Sequence, residues 1–138
     1  MTLLVILAAA AAAAAVAAPA LKPVKLDLKA GQALAFSARV VEGKVVLGAA
    51  RAGKFGELQP NDGEIVVGLS PKDKTFYVNV VVTEKTTAPV DFLATGFVGG
   101  TKIDEIFVHG KPGEPVSQRI GSTCWTVTLN GFEPGVVK

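Results

Sequence analysis

The sequence predicts an all-β protein, in its simplest form an antiparallel β-sandwich of the immunoglobulin-like type with about eight strands. Three observations support this fold class. Short segments alternate apolar and polar residues with a period of two, and turn-forming Gly, Pro, Asn and Asp residues separate them. After residue 20 no segment shows a helical period. A closed barrel is the alternative architecture for the same pattern.

The N-terminal residues have the composition of an export signal. An uncharged, alanine-rich run from Leu3 to Ala18 ends in a Pro-Ala pair, which is typical of a secretory signal peptide. The run is shorter and more weakly apolar than a membrane-spanning helix. We therefore expect a signal peptide over residues 1–20 and a single domain over residues 21–138 without an integral membrane segment. Such a protein would be periplasmic or secreted.

Charge and cysteine content argue against several classes of function. The net charge is +2 and the charged residues are scattered, whereas nucleic-acid binding needs a clustered basic surface. Cys124 is the only cysteine, so its thiol is either buried or free to pair with another chain. One His, one Cys and a single Met in the leader cannot build a zinc or copper site. We expect no metal and no cofactor.

The first half of the domain reads as strands joined by turns. Residues 24–29 and 34–40 alternate apolar and polar side chains, and Glu42-Gly43 has the chemistry of a two-residue hairpin turn. That turn would pair Val40 with Val45. Residues 49–63 lack a period and are rich in Gly, Pro and Asn, which predicts a surface loop before a strand over residues 64–69.

Residues 75–109 read as three consecutive antiparallel strands, which we call the central meander. Phe76, Val78, Val80 and Val82 form the inner row of its first strand. The second and third strands join at Gly99-Gly100, and a bulge at Asp104-Glu105 would bring the third strand into phase. The resulting register places Phe107 beside Leu93 and His109 opposite Asp91. A Pro- and Gly-rich loop over residues 110–118 and a last strand over residues 124–130, with Trp125 inward, complete the fold.

The outward-facing side of the central meander is more apolar than a solvated sheet face requires. Large contiguous apolar patches mark interaction surfaces, so this outer row is a candidate partner-binding surface unless the protein's own segments cover it. Its members are Tyr77, Val81, Leu93, Phe97 and Phe107.

Asp91 and His109 are a candidate polar pair with the polarity of a base and its orienting carboxylate. A hydrolase-like site would also need a nucleophile, for which Ser117, Ser122 and Cys124 are the candidates. No G-x-S-x-G motif is present. A hydrogen-bonded pair with a purely structural role accounts for the same two residues.

The sequence as a whole favours an exported, non-enzymatic binding or assembly module. It would hold a protein partner, or a second copy of itself, through the apolar sheet face or an exposed strand edge. The alternatives are a small hydrolase-like enzyme that uses Asp91 and His109, and a small-ligand carrier with a pocket between its sheets lined by Trp125 and phenylalanines.

Overall fold

The computed structural model describes residues 26–71, 77–121 and 126–136. These residues form nine strands and no helix. The strands lie in two antiparallel sheets, as expected for a β-sandwich. In chain order they are β1 (Leu26–Leu28), β2 (Gln32–Val41), β3 (Lys44–Lys54), β4 (Glu64–Leu69), β5 (Val78–Glu84), β6 (Val90–Val98), β7 (Thr101–Val108), β8 (Val116–Ile120) and β9 (Thr126–Pro134).

The core lies between a four-stranded sheet, in the order β1-β9-β6-β7, and a five-stranded sheet, in the order β3-β2-β4-β5-β8. Alternate residues of the inner strands point into it. Phe36, Ile65 and Val80 from the larger sheet share one buried cluster with Phe92 and Leu129 from the smaller sheet. Burial of these side chains is the main force that holds the sheets together.

The β2–β3 hairpin has the expected register, with Val40 opposite Val45. Glu42 and Gly43 both have positive φ, at 51° and 76°, as a two-residue turn of this kind requires. The structure corrects the loop expected over residues 49–63, because β3 continues to Lys54. The sequence shows no alternation of apolar and polar residues there, because β3 is an edge strand with few buried side chains.

The segment that follows β3 covers the outer face of the larger sheet. Leu58 packs against a small buried cluster on β2 and β4 that contains Ala35 and Val66. The Phe55 ring lies so close to Gly68 that a Cβ there would be 2.8 Å from Cδ1. Phe55 and Leu58 therefore add apolar contacts to the outer face of this sheet.

The central meander is the main error of the sequence-based topology. β5 and β6 do not pair: β5 lies between β4 and β8 in one sheet, and β6 lies between β9 and β7 in the other. The short link between them crosses from one sheet to the other and turns where Thr86 Oγ1 donates a hydrogen bond to the carbonyl of Ala88, at 2.7 Å. Phe76 lies outside the described residues.

The β6–β7 hairpin confirms the expected register away from its turn. Phe107 pairs with Leu93 and Val108 with Phe92, and the turn glycines have φ of 56° and 86°. The bulge is displaced, however. Its extra residue is Ile103, which is 42% exposed, and not the Asp104-Glu105 pair. Asp104 occupies a paired position because its carboxylate accepts the backbone N–H of Gly121 beyond β8, at 2.7 Å.

Two further strand segments replace expected turns and loops. Val116–Ile120, whose first residues we had placed in a loop, adds to β5 as β8, with Val82 opposite Val116. β9 continues through Asn130-Gly131, where we expected the ordered part to end. Gly131 has φ of 62° at an irregularity in the β6–β9 pairing, and this bulge turns Phe132 inward. Trp125, expected to face the core, lies outside the described residues.

Candidate functional site

The outer row of the central meander does not form one surface. Val81 belongs to the five-stranded sheet, and Tyr77 directly precedes the same strand, β5. Leu93, Phe97 and Phe107 belong to the four-stranded sheet. Because the two sheets share one core, their outer faces point in opposite directions. The prediction of one contiguous five-residue patch is therefore wrong. Alternation shows on which side of its strand a residue lies, but it does not show which strands are neighbours.

On the larger sheet, the two members of the outer row are half-buried. Val81 lies between Gly68 and Ser117 in the sheet. The Arg119 guanidinium lies 4.6 Å from the centroid of the Tyr77 ring, within the range of a cation–π contact. Tyr77 and Val81 are therefore both next to other residues of the same chain.

On the smaller sheet, Leu93, Phe97 and Phe107 remain together and form what we call the β6–β7 face. Leu93 pairs directly with Phe107, which is 38% exposed. Thr95, between Leu93 and Phe97, donates a hydrogen bond to Glu105 at 2.9 Å and accepts one from Asn130 at 3.2 Å. These bonds place a polar row with defined side-chain positions between Phe97 and the Leu93–Phe107 pair.

The structure brings Asp91 and His109 together at the end of the β6–β7 face. His109 Nδ1 lies 3.4 Å from Asp91 Oδ2, and the imidazole is mostly exposed whereas the carboxyl is buried. The His109 ring also lies 4.6 Å from the Phe107 ring, centroid to centroid. The pair therefore joins the apolar face to the polar end of the sandwich.

Asp91 also holds the chain after β7. Its Oδ1 accepts the backbone N–H of Gly110 at 3.0 Å. The opposite side of Gly110 faces Glu84, because a Cβ built there would collide with the Glu84 carboxyl group and the Val90 carbonyl. Gly110 is thus enclosed between two carboxyl groups that belong to different sheets.

Glu84 is the most unusual ionisable residue at this end of the molecule. It is 1% exposed, its Oε1 accepts the backbone N–H of Val90 at 3.1 Å, and its Oε2 has no hydrogen-bond partner. Burial raises the pKa of Glu84 to about 7; the hydrogen bond from Val90 opposes this rise, the charge of Asp91 adds to it, and the nearby Thr86 hydroxyl opposes it. Glu84 is therefore neutral over much of the range in which carboxyl groups are normally ionised.

The sequence interpretation missed Glu84, although a signal was present. Glu84 follows Val78, Val80 and Val82 in strict alternation, and all four are buried on the core side of β5. An acid in phase with a buried apolar row indicates a carboxyl group that needs a partner or a proton. We read the row as ending at Val82.

A cleft of about 790 Å³ opens beside these residues. Thr87 and Pro89 line one side, His109 and Lys111 line another, and the exposed Val136 contributes from the C-terminal segment. This cleft lies at the end of the sandwich, whereas the carrier hypothesis placed a pocket between the sheets. Where that pocket was expected, Phe36, Phe92 and Phe132 pack against one another.

The hydrolase-like arrangement is not assembled by the described residues. Ser117 lies on the outward side of β8, in the sheet opposite to His109, and no hydrogen bond joins the two. Ser122 and Cys124 lie outside the described residues, so the structure does not place the free thiol. In the described parts of the chain, no three His, Cys, Asp or Glu side chains are grouped so that they could hold a metal ion.

No helix long and apolar enough to cross a membrane occurs within residues 26–71, 77–121 and 126–136. Comparisons of the chain with protein-family models, with curated proteins and with solved structures found no match.

Proposed function

We propose that this protein is an exported, non-enzymatic binding module that holds a protein partner on the β6–β7 face and along the adjoining edge of β7. The observation that carries the proposal is the exposure of two large apolar side chains on one edge strand. Ile103 and Phe107 are 42% and 38% exposed, and β7 is the outermost strand of its sheet among the described residues.

The charged residues of β7 all lie in the first five residues of the strand. Charged side chains on edge strands normally discourage pairing with another chain. Here the Lys102 ammonium lies 3.5 Å from the Glu105 carboxylate, and Asp104 is bound to the Gly121 amide. The last three residues of the strand, from Ile106 to Val108, carry no charge. An extended segment of a partner can pair with this part of the strand while its side chains contact Phe107.

Export and the finer fold type belong to the same proposal. The alanine-rich run that ends near residue 20 supports a cleaved leader and a periplasmic or secreted domain over residues 21–138. Two antiparallel sheets around one core support an immunoglobulin-like type. N-terminal sequencing of the protein recovered from the cell envelope or medium tests the leader directly. A mature protein that still begins at Met1 would contradict export by this signal.

Affinity capture from the native envelope, or from the medium, tests the binding surface. We expect Phe107→Asp and Leu93→Asp to abolish capture of the partner, because each places a charge in the centre of the face. Val46→Asp is the matched control, since Val46 is 40% exposed but lies on β3 of the opposite sheet. Capture by folded Phe107→Asp protein at the level of the control would overturn the proposal.

Size measurement by light scattering separates a foreign partner from self-association. A partner of another kind leaves the purified protein monomeric, whereas self-association gives a dimer that Phe107→Asp dissociates. The second result would identify the partner as another copy of the chain.

A second candidate function is a hydrolase-like activity, favoured by the 3.4 Å approach of His109 to Asp91 at the rim of the cleft. Its test is turnover of a panel of activated esters by the wild-type protein and by His109→Ala. Equal rates for the two proteins would eliminate this function.

A further inference from the structure

We propose that residues 109–115 are held on the end of the sandwich by a proton-controlled contact, in which protonated Glu84 keeps this loop docked and ionised Glu84 releases it. Release would widen the cleft beside His109 and admit water to the Glu84 carboxyl group. The inference concerns the loop alone and is independent of the proposed binding function.

Glu84 is the main attachment point of the loop. Its backbone carbonyl accepts the N–H of Gly113 at 3.0 Å, and a β-bridge joins it to Pro112. Its side chain lies against Gly110, whose own N–H is held by Asp91. The loop therefore contacts Glu84 at Gly110, Pro112 and Gly113, and Gly110 has little room to move unless the loop moves with it.

The buried position suits a neutral carboxyl group and not a charged one. Oε2 is buried and makes no hydrogen bond. The nearby Thr86 hydroxyl favours the ionised form, but it donates its hydrogen bond to the Ala88 carbonyl, so an ionised Glu84 would carry charge on a buried atom without a hydrogen bond. A protonated Glu84 removes that charge.

The surrounding groups do not supply a compensating positive charge. On β4 the residue opposite Glu84 is Ile65, and in the link after β5 the neighbouring polar side chain is Thr86. On β6 the neighbour is Asp91, whose negative charge opposes ionisation. Among the described residues Glu84 forms no salt bridge. The next residue in the chain, Lys85, pairs with Asp62 at 3.1 Å.

The remaining charged groups at this end belong to Asp91 or to the cleft. His109 contacts the Asp91 carboxylate, and Glu133 on β9 is the cross-strand neighbour of Asp91. Lys111 and Glu114 are exposed and line the cleft. Gly110 lies directly against the Glu84 carboxyl group and also lines the cleft. Displacement of the loop at Gly110 would therefore open this carboxyl group to water from the cleft.

Amide hydrogen exchange, corrected for the intrinsic effect of pH, measures this release directly. For the wild-type protein we expect the N–H groups of Gly110 and Gly113 to be about tenfold or more better protected at pH 5.5 than at pH 8.5. Glu84→Gln, which cannot ionise and keeps an acceptor for Val90, should show the higher protection at both pH values. Unchanged protection in the wild-type protein, or the same loss in Glu84→Gln, would overturn the proposal.

Two controls assign the effect to Glu84. Glu114→Gln removes a carboxylate from the same loop, and His109→Gln removes the imidazole that contacts Asp91. Both should retain the wild-type response, and loss of the response in either one would overturn the assignment. If Glu84→Gln does not fold, a ¹³C NMR titration of the Glu84 carboxyl carbon in the wild-type protein replaces it. A midpoint below pH 5 would contradict the proposal and one near pH 7 would support it.

Discussion

Gly110 shows how one missing side chain can determine the structure of a loop. Its N–H binds Asp91, and its Cα lies against the Glu84 carboxyl group and the Val90 carbonyl. A methyl group at this position must displace both. The need for glycine arises here from close packing and not from a left-handed backbone, because Gly110 is not among the glycines with positive φ.

We therefore expect Gly110→Ala to lower the free energy of unfolding by about 2–3 kcal/mol, the usual cost of overpacking a tight site. Urea denaturation measures the change. Gly53→Ala is the control, because its Cβ would approach only the Leu58 side chain, at 3.2 Å, which can shift. We expect the control to lose less than about 1 kcal/mol. Equal losses would show that Gly110 is not tightly enclosed.

The two phenylalanines at opposite faces of the smaller sheet provide a second prediction. Phe132 stacks on Phe92 with ring centroids 5.1 Å apart and meets Phe36 edge-on at 5.6 Å. Phe132→Ala should cost about 3 kcal/mol because it leaves a cavity in the core. Phe107→Ala, on the outward side, should cost less than about 1 kcal/mol. Thermal unfolding compares the two, and a larger loss for Phe107→Ala would contradict its outward placement.

The site could be predicted from the sequence only where alternation applies. Alternation combined with a bulge placed His109 opposite Asp91, and the two residues are in contact. Glu84 was missed because its importance depends on the other sheet. The approach of Gly110 and Asp91 turns an acid at a strand end into a buried group with one oxygen that has no hydrogen bond.

At the level of the strands, the β2–β3 turn carries local backbone strain that a single substitution could relieve. Glu42 has φ of 51°, a region in which Asn and Gly are favoured over residues such as Glu. We expect Glu42→Asn to raise the free energy of unfolding by about 0.5–1 kcal/mol. Glu57→Asn is the control, since Glu57 is also an exposed turn residue but has no positive φ. Chemical denaturation that shows no difference between the two variants would exclude strain at Glu42.

Bulges explain two of the differences between the expected and observed strands, in β7 and in β9. Alternation requires one extra residue in β7 but does not specify which one. The structure places it at Ile103, because Asp104 must face inward to reach the Gly121 amide of the other sheet. In the same way, Asn130-Gly131 has the composition of a turn, yet Phe132 and the β6 backbone stabilise it as a bulge. Tertiary contacts decide both cases.

The assignment of strands to sheets is a property of the whole molecule. β5 and β6 both alternate, and a short link with Pro89 can equally join neighbours in one sheet or cross between two. The crossing is favoured because it places β5 between β4 and β8 in one sheet, and β6 between β9 and β7 in the other. The inner rows of both strands are then buried in one core. Local pattern determines fold class and side-chain direction, but the pairing of strands requires the complete set.

Glu84 also makes the stability of the whole domain dependent on pH. Its pKa is about 7 in the folded protein, against 4.5 for an unperturbed glutamate. Between these values the folded state keeps a proton that the unfolded state has released, so stability falls as pH rises from about 4.5 to about 7 and stays low above that. The full pKa difference corresponds to a loss of about 3 kcal/mol in the free energy of unfolding. This value is an upper limit if release of the loop hydrates the carboxylate.

Denaturation of the wild-type protein and of Glu84→Gln from pH 5 to pH 8 measures this dependence. The wild-type protein should lose up to about 3 kcal/mol across the range, and the variant should vary much less. Glu64 cannot produce the same effect, because its hydrogen bond from Arg51 lowers the pKa of Glu64, and its contribution is lost only as pH falls below the ordinary range of glutamate. Wild-type stability that is constant or rises between pH 5 and pH 7, with the variant unchanged, would show that Glu84 is ionised in the folded protein.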